Sequence, residues 1–222
     1  SGKRSPRAVV VGSGPNGLAS AIVLAQAGME VEVFEAQPQP GGATRTMELT
    51  LPDFHHDFGS AVHPMAAGSP FFTNLPLHDH GLEWIHFPAP IAHPLDDGTA
   101  VVLERDLGDA TRALGEDGRA WDRLLRPLVE RWTEIAPDLL GPVLHIPRHP
   151  LVLARFGIAA VQSAQSLANR HFCSARTKAL FAGLAAHSML ALDEPLTGAF
   201  GVMLAVSAHA VGWPIPRRGS QS

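Results

Sequence analysis

Cysteine and positive charge are both scarce in this chain of 222 residues. A single cysteine, Cys173, cannot form an intramolecular disulfide or a thiolate zinc site. Lys and Arg number 17 against 21 acidic residues, so the clustered cations of a nucleic-acid-binding surface are not expected. The N-terminal run SGKRSPR leads into an apolar stretch that glycines and Pro15 interrupt, unlike a signal peptide. We expect no nucleic-acid partner and a reducing, cytoplasmic compartment.

Hydrolase and metal signatures are also missing. No G-x-S-x-G nucleophile elbow occurs, so no Ser-His-Asp arrangement can be assigned. The 12 histidines are scattered, and neither His55-His56 nor His78-x-His80 comes with an obvious set of carboxylates at ligand spacing. We therefore expect no metal site.

Glycine is abundant near the N-terminus, in the stretch VVVGSGPNGLASAIVLAQAGMEVEVFE that runs from Val9 to Glu35. Residues 7–11 are typical of an apolar strand buried in a parallel sheet. Residues 16–27 favour a helix that Gly28 ends, and residues 30–35 alternate like a second strand. The pattern predicts a strand, a glycine turn, a helix and a second strand.

The spacing of the glycines matches a dinucleotide fingerprint. Gly12 allows a sharp turn, Gly14 leaves room for a pyrophosphate at a helix N-terminus, and Gly17 lets the helix pack closely on the sheet. Glu35 would accept hydrogen bonds from both ribose hydroxyls and would repel a 2′-phosphate, which argues against NADP. The alternative is a doubly wound fold whose tight turn binds no ligand.

A second glycine segment follows Glu35 and Ala36, and by itself it would be an ordinary turn. It comprises Gly41, Gly42, Ala43, Thr44 and Arg45, and Asp57-Phe58-Gly59-Ser60 comes soon after. With these motifs the sequence resembles the FAD-dependent oxidoreductases of the phytoene-desaturase-like and amine-oxidase-like family. The strongest motifs lie before residue 61.

The resemblance implies FAD as cofactor. The implied cofactor-binding residues are Gly12, Gly14, Pro15, Asn16, Gly17, Glu35, Ala36, Gly41, Gly42, Ala43, Thr44 and Arg45. It implies an α/β Rossmann-like fold with a doubly wound parallel sheet, followed by a mixed sheet and a helical cap. The expected domains are residues 7–74 for FAD and 75–216 for the substrate and cap region.

The resemblance also implies a reaction, namely hydride removal from a C–H bond of an apolar small molecule, which leaves a double bond. His63 is a weak catalytic candidate, with a buried histidine bonded to backbone as the alternative. Relatives are usually longer, and their C-terminal part returns to complete the flavin site with a Gly-Gly pair where this chain has Arg218-Gly219. We therefore expect this chain to be the N-terminal portion of such an enzyme. We also expect the chain either to form an oligomer or to need a complementary C-terminal half. The alternative is a non-catalytic nucleotide-binding or assembly module.

The rest of the chain is less informative. Asp97-Gly98 predicts a hairpin, and apolar spacing predicts helices over 106–114, 118–135, 174–190 and 196–210. Residues 141–156 are rich in proline and histidine and predict a connector. Residues 196–213 carry no formal charge, over nearly the length of a membrane-spanning helix. Their glycines and polar residues, and the prolines Pro195 and Pro214 on either side, favour a buried core helix. The alternative is peripheral contact with lipid, as in related carotenoid desaturases.

Overall fold

The computed structural model describes residues 5–142 and 144–221. Its strands are β1 (Arg7–Val11), β2 (Glu30–Phe34), β3 (Thr46–Glu48), β4 (His55–Asp57), β5 (Trp84–Ile85), β6 (Ile91–Pro94), β7 (Ala100–Leu103) and β8 (Ile215–Pro216). Its helices are α1 (Pro15–Gln26), α2 (Pro64–Gly68), α3 (Pro70–Thr73), α4 (Leu107–Ala113), α5 (Gly118–Val129), α6 (Trp132–Leu139), α7 (Pro150–Ala160), α8 (Ala164–His171), α9 (Ala175–Ala185) and α10 (Thr197–Ala210). The strands pair two by two, as β1-β2, β3-β4, β5-β8 and β6-β7.

The chain divides into two compact units. The glycine-turn unit contains the residues up to Val62, Gly81–Trp84 and the segment from Ile215 onward, and the helical unit contains His63–His80 and Ile85–Pro214. These boundaries differ from the predicted division into 7–74 and 75–216. The last segment joins the first unit because the Arg217 backbone N–H donates to the Glu83 carbonyl over 2.8 Å.

The predicted strand, turn, helix and strand at the N-terminus are confirmed. Strands β1 and β2 are parallel, with Arg7 opposite Glu30 and Val11 opposite Phe34. Helix α1 begins at Pro15, where the fixed φ of proline suits the first helical position. It ends before Gly28, whose φ of +84° is the left-handed conformation that glycine tolerates best.

The prediction that β1 is buried is wrong. The side chains of Val9 and Val11 are 62% and 85% exposed. Helix α1 packs on β1 and β2, and the alternate residues Ala8 and Val10 are half-buried. In the described residues the sheet has two strands, so nothing covers the face that Val9 and Val11 occupy. The doubly wound sheet therefore stays a prediction.

The apolar core lies in the helical unit, between Val101 and Ala208. Helix α10 packs against α5, α7 and α9, and most of its side chains are buried. The predicted core helix over 196–210 is therefore confirmed. Among the described residues no single helix is long and apolar enough to span a membrane; α7 and α8 pass that test only jointly, across a 96° bend.

Three predicted boundaries in the helical unit are wrong. The helix expected over 174–190 is α9, which ends at Ala185. The helix expected over 118–135 is two helices, α5 and α6, that break at residues 130–131. The connector expected over 141–156 contains the start of α7, because Pro150 stands at the first helical position rather than inside a helix. Helix α8 was not predicted, although the Ser163 hydroxyl caps it by accepting from the Ser166 N–H over 3.1 Å.

Asp117 and His209 are among the polar side chains that are buried in the helical unit, and both are hydrogen-bonded there. The Asp117 carboxylate accepts from the backbone N–H groups of Cys173 and Ser174 over 2.7 and 2.8 Å. His209 Nδ1 lies 3.0 Å from the carbonyl oxygen of Arg105, and Nε2 lies 3.0 Å from Trp121 Nε1. A carbonyl only accepts and an indole N–H only donates, so the imidazole is neutral with its proton on Nδ1. Burial lowers the pKa of His209.

Candidate dinucleotide site

The first glycine turn joins β1 to α1 through backbone that a side chain would disturb. Gly12 has a φ of +95°, and its N–H donates to the Phe34 carbonyl over 2.7 Å. A Cβ built on Gly17 would lie 2.1 Å from the Gly12 carbonyl oxygen. Only glycine at position 17 allows the helix to come this close to the turn.

The second glycine turn lies against the first. The Gly41 N–H donates to the Ser13 carbonyl over 3.0 Å. A Cβ on Gly42 would lie 3.0 Å from the Gly14 Cα, whereas a Cβ on Gly14 would meet nothing closer than the Gly42 Cα at 3.9 Å. The absent side chain of Gly14 therefore leaves open space beside both turns.

Glu35 is tied to the first turn by three hydrogen bonds. Its Oε2 accepts from the Ser13 hydroxyl over 2.5 Å and from the Ser13 N–H over 2.8 Å, and its Oε1 accepts from the Gln37 N–H over 2.9 Å. These hydrogen bonds lower the pKa of Glu35 to about 2, and the bond from the Ser13 hydroxyl has the largest effect. The Ala36 backbone lowers the pKa further. The carboxylate is therefore ionised throughout the physiological range.

Ser13 is a site residue that the sequence analysis missed. Its side chain is 3% exposed and connects the glycine turn to the end of β2. The signal was available, because a hydroxyl residue inside the G-x-G turn stands opposite the acid that closes the next strand.

The start of α1 offers donors for an anion. Pro15 has no N–H, and the first helical bond runs from the Leu18 N–H to the Gly14 carbonyl over 3.0 Å. Within the described part of the chain, no acceptor pairs with the N–H groups of Asn16 and Gly17. Such free N–H groups favour a phosphate at a helix N-terminus.

The turn from Gly41 to Arg45 is held by its own side chains. The Thr44 hydroxyl donates to the Gly41 carbonyl over 2.7 Å, and Arg45 Nε donates to the Gly42 carbonyl over 2.9 Å. The Arg45 guanidinium stands 5.0 Å from the centroid of the Phe58 ring, a cation–π distance. Ala43 is exposed, and its carbonyl accepts from the Gly59 N–H over 3.1 Å.

The segment after β8 also contacts this region, although none of its residues was among the predicted site residues. The Ser220 N–H donates to Asp57 Oδ1 over 2.8 Å, and its hydroxyl donates to the Ser60 carbonyl over 2.6 Å. Asp57 Oδ1 also accepts from the Thr46 hydroxyl over 2.7 Å. The Asp57 carboxylate thus connects the end of the chain to the β3–β4 hairpin that directly follows Arg45.

His63 was the one catalytic candidate. His63 belongs to the helical unit, is half-buried, and donates its backbone N–H to the Pro214 carbonyl over 2.9 Å. Its catalytic role stays a prediction. The structure, over the residues it describes, brings together no three His, Cys, Asp or Glu side chains able to hold a metal ion.

The part of the chain that carries this geometry is similar to a known family. Residues 10–75 match the family described as NAD(P)-binding Rossmann-like domain. The matched residues include both glycine turns, α1, β2 and the ionised Glu35.

Particular relatives can then be named. Over 113 residues the chain is 35% identical to hydroxyneurosporene desaturase of Cereibacter sphaeroides, covering 46% of this chain and 21% of that protein. Over 137 residues it is 32% identical to a polypeptide of the limonene dehydrogenase of Castellaniella defragrans, covering 62% of this chain and 25% of that protein. The chain thus spans about a fifth to a quarter of the curated relatives' length.

Solved structures share the fold. A putrescine oxidase with bound putrescine matches with a TM-score of 0.59 at 21% identity, over 97% of this chain and 48% of that chain. An oxidoreductase from Methanosarcina mazei matches with a TM-score of 0.59 at 20% identity, over 97% of this chain and 46% of that chain. The resemblance to desaturase-like and amine-oxidase-like oxidoreductases is confirmed.

Proposed function

We propose that this chain provides the FAD-binding turns of an oxidoreductase that removes a hydride from a C–H bond of an apolar small molecule. The observation that carries the proposal is the contact between the two glycine turns, with Glu35 hydrogen-bonded to Ser13 beside them. A plain turn would require neither the second glycine segment nor an acid at this point.

The residues present fit a dinucleotide. Glu35 is ionised and can accept from ribose hydroxyls, and the same charge disfavours a 2′-phosphate. The free N–H groups of Asn16 and Gly17 suit a pyrophosphate, and Gly14 leaves the space that its approach requires. Bound FAD supplies the redox chemistry, and the chain binds and orients it.

The choice of FAD over NAD rests on the second turn and on the relatives. In the turn from Gly41 to Arg45, the Arg45 guanidinium is hydrogen-bonded to the Gly42 carbonyl. Gly42 in turn lies against Gly14 of the first glycine turn. The two curated relatives are by name a desaturase and a dehydrogenase, which supports removal of hydrogen from carbon. Limonene is a hydrocarbon, which supports an apolar substrate.

We further propose that activity requires a complementary C-terminal half or an oligomer, and that the protein works in the cytoplasm. The alignments cover only a small part of each curated relative, which supports the need for a partner segment. The same observation favours the second candidate function, a nucleotide-binding or assembly module without catalysis.

A titration of FAD into the 222-residue chain tests the proposal, followed by flavin fluorescence and visible absorbance. Gly14→Val should abolish binding without unfolding the chain, because its Cβ would meet no protein atom closer than the Gly42 Cα at 3.9 Å, an ordinary van der Waals distance. Glu35→Ala should weaken binding about tenfold or more, as for a hydrogen bond to a charged group, and Glu35→Gln less.

Gly157→Val is the matched control, since a Cβ there meets nothing within 4 Å and Gly157 lies on α7, outside the glycine-turn unit. Equal FAD affinity in Gly14→Val and the unchanged chain would refute the site. Binding of FAD without turnover, even when a C-terminal half is supplied in trans, would favour the non-catalytic module.

A further inference from the structure

An open groove lies between α5, α7 and α8 in the helical unit, and its volume is about 520 Å³. Part of its lining belongs to the apolar core, since Leu128 and Leu167 are 2% and 0% exposed. Leu124 in the same lining is half-buried, and Ile158 is exposed. A volume of this size is typical of small-molecule sites. The groove can therefore receive the apolar body of a small molecule.

The polar part of the lining is cationic. Arg123 comes from α5, Arg155 from α7, and Arg170 and His171 from α8. The lining contains no acidic residue, and residues 139–192 contain no Asp or Glu at all. Three helices thus bring positive charge to one groove without a counter-charge, in a chain whose formal net charge is −4.

The three arginines retain most of their hydrogen-bonding capacity. Over the residues that the structure describes, none of them forms an ion pair. Arg155 donates to the Arg123 carbonyl and Arg123 Nε to the Arg119 carbonyl, each over 3.3 Å. A guanidinium has five N–H donors, so several remain for a ligand. By contrast, Arg126 on the same helix as Arg123 pairs with Asp122.

The uncompensated charge acts on a neighbour in the lining. Burial, and then the positive charges of Arg170 and Arg123, lower the pKa of His171. Like charges that face one groove raise the electrostatic free energy of the unliganded chain, and an anion between them lowers it. The lining is therefore complementary to a molecule that is anionic at one end and apolar at the other.

We propose that this groove, here named the α5–α8 groove, binds a small phosphate monoester of an apolar alcohol. A phosphate monoester carries a charge of about −1.5 to −2 near pH 7, which matches several arginines better than the single charge of a carboxylate does. The planar guanidinium fork also donates paired N–H bonds to phosphate oxygens. The proposal goes beyond the proposed function and does not depend on it, because the groove lies outside the glycine-turn unit.

Isothermal titration of the 222-residue chain with n-octyl phosphate, kept below its micelle concentration, tests the proposal. Inorganic phosphate, 1-octanol and n-butyl phosphate should each bind about tenfold more weakly or worse, because each lacks the charge or part of the apolar body. Nonanoate should bind about threefold more weakly, since it carries one negative charge. Vesicles of phosphatidic acid should not displace n-octyl phosphate, because a headgroup held in a bilayer cannot bring its chain to Leu128 and Leu167.

Arg123→Gln, Arg155→Gln and Arg170→Gln should each weaken binding of n-octyl phosphate about fivefold, as for the loss of a charged donor. Arg119→Gln is the matched control, because Arg119 is an exposed arginine of α5 that lines a neighbouring groove instead. It should weaken binding less than about twofold. Gly14→Val closes the dinucleotide site and should leave the affinity for n-octyl phosphate unchanged. Circular dichroism should show every variant folded.

Equal affinity for n-octyl phosphate and for inorganic phosphate or 1-octanol would overturn the proposal, as would displacement by the vesicles. Tighter binding of nonanoate would refute the phosphate. An equal loss in Arg119→Gln would assign binding to the general positive charge, and a loss in Gly14→Val would assign it to the dinucleotide site. Should the glutamine variants unfold, Arg155→Lys, which keeps the charge without the planar fork, and the ligand series on the unchanged chain still decide.

Discussion

The helical unit and the glycine-turn unit are each stabilised internally by a different kind of interaction. The buried apolar core, from Val101 to Ala208, lies entirely in the helical unit. In the glycine-turn unit, apolar side chains such as Val11 and Phe34 are 85% and 52% exposed. That unit is organised by hydrogen bonds instead, from Glu35 to the first turn and from Asp57 to the end of the chain.

The comparison shows that an apolar strand pattern does not by itself imply burial. A strand is buried on both faces only when neighbouring strands and helices cover it. The glycine-turn unit is specified by local backbone conformation and polar contacts, and the helical unit by packing. Each of the following substitutions tests one side of that difference.

Trp121→Ala should have the largest effect, because the Trp121 side chain is fully buried in the helical core. We expect a loss of about 3–5 kcal/mol in the free energy of unfolding, measured by urea denaturation with circular dichroism. Val11→Ala, in the glycine-turn unit, should change it by no more than about 0.5 kcal/mol. Similar losses for the two variants would remove the distinction between the units.

Asp57→Ala tests the polar side of the comparison. It removes the acceptor of the Ser220 N–H and of the Thr46 hydroxyl. The free energy of unfolding should therefore fall by about 1–3 kcal/mol. Hydrogen exchange should accelerate at the Ser220 amide and leave the α10 amides unchanged. Asp96→Ala is the control at an exposed acid. Unchanged exchange at the Ser220 amide in Asp57→Ala would show that the Asp57 carboxylate does not hold the segment after β8.

His209 makes the stability of the helical unit depend on pH. The unfolded chain takes up a proton near the ordinary pKa of 6.5, whereas burial lowers the pKa of His209 in the folded chain. Below pH 6.5 the unfolded state therefore binds more protons, and the free energy of unfolding falls by up to about 1.4 kcal/mol per pH unit. The hydrogen bond to the Arg105 carbonyl, and then the nearby carboxylates of Asp106 and Asp122, oppose this lowering of the pKa only in part.

His209→Gln, which keeps an acceptor for Trp121, should flatten this pH dependence between about pH 7 and about pH 5. Urea denaturation at each pH measures it. An unchanged slope would assign the titration to other groups, such as His86 and His171, whose pKa values burial also lowers.

Arg218→Gly should have the smallest effect, and it should stabilise the protein. Arg218 has a φ of +72°, a left-handed conformation that costs a non-glycine residue about 1–2 kcal/mol. Glycine removes that strain but loses more entropy on folding, so the net gain should be about 0.5–1 kcal/mol. Arg217→Gly has no such strain to relieve and loses the ion pair with Glu83, so it should destabilise. A gain in neither variant would mean that the strain is compensated elsewhere.

Much of the fold was accessible from the sequence. The order of β1, α1 and β2, the hairpin of β6 and β7, and the core helix α10 follow from glycine placement, turn residues and apolar spacing. The start of α7 was missed because Pro150 was interpreted as a breaker. Ser13 was missed although its place in the glycine turn, opposite Glu35, was visible in the sequence. The contacts of Ser220 were missed because their acceptors, Asp57 and Ser60, are distant in the chain and no local pattern reports them.

The sequence by itself determined the conformation of the first glycine turn and the acid at Glu35, because a positive φ at Gly12 and the end of a strand are local properties. Only the tertiary structure decided that Gly42 lies against Gly14, that Ser220 reaches Asp57 and that the outer side of β1 is exposed. The physical reason is that contact and burial depend on which distant segments pack together, whereas backbone conformation depends on the residue itself.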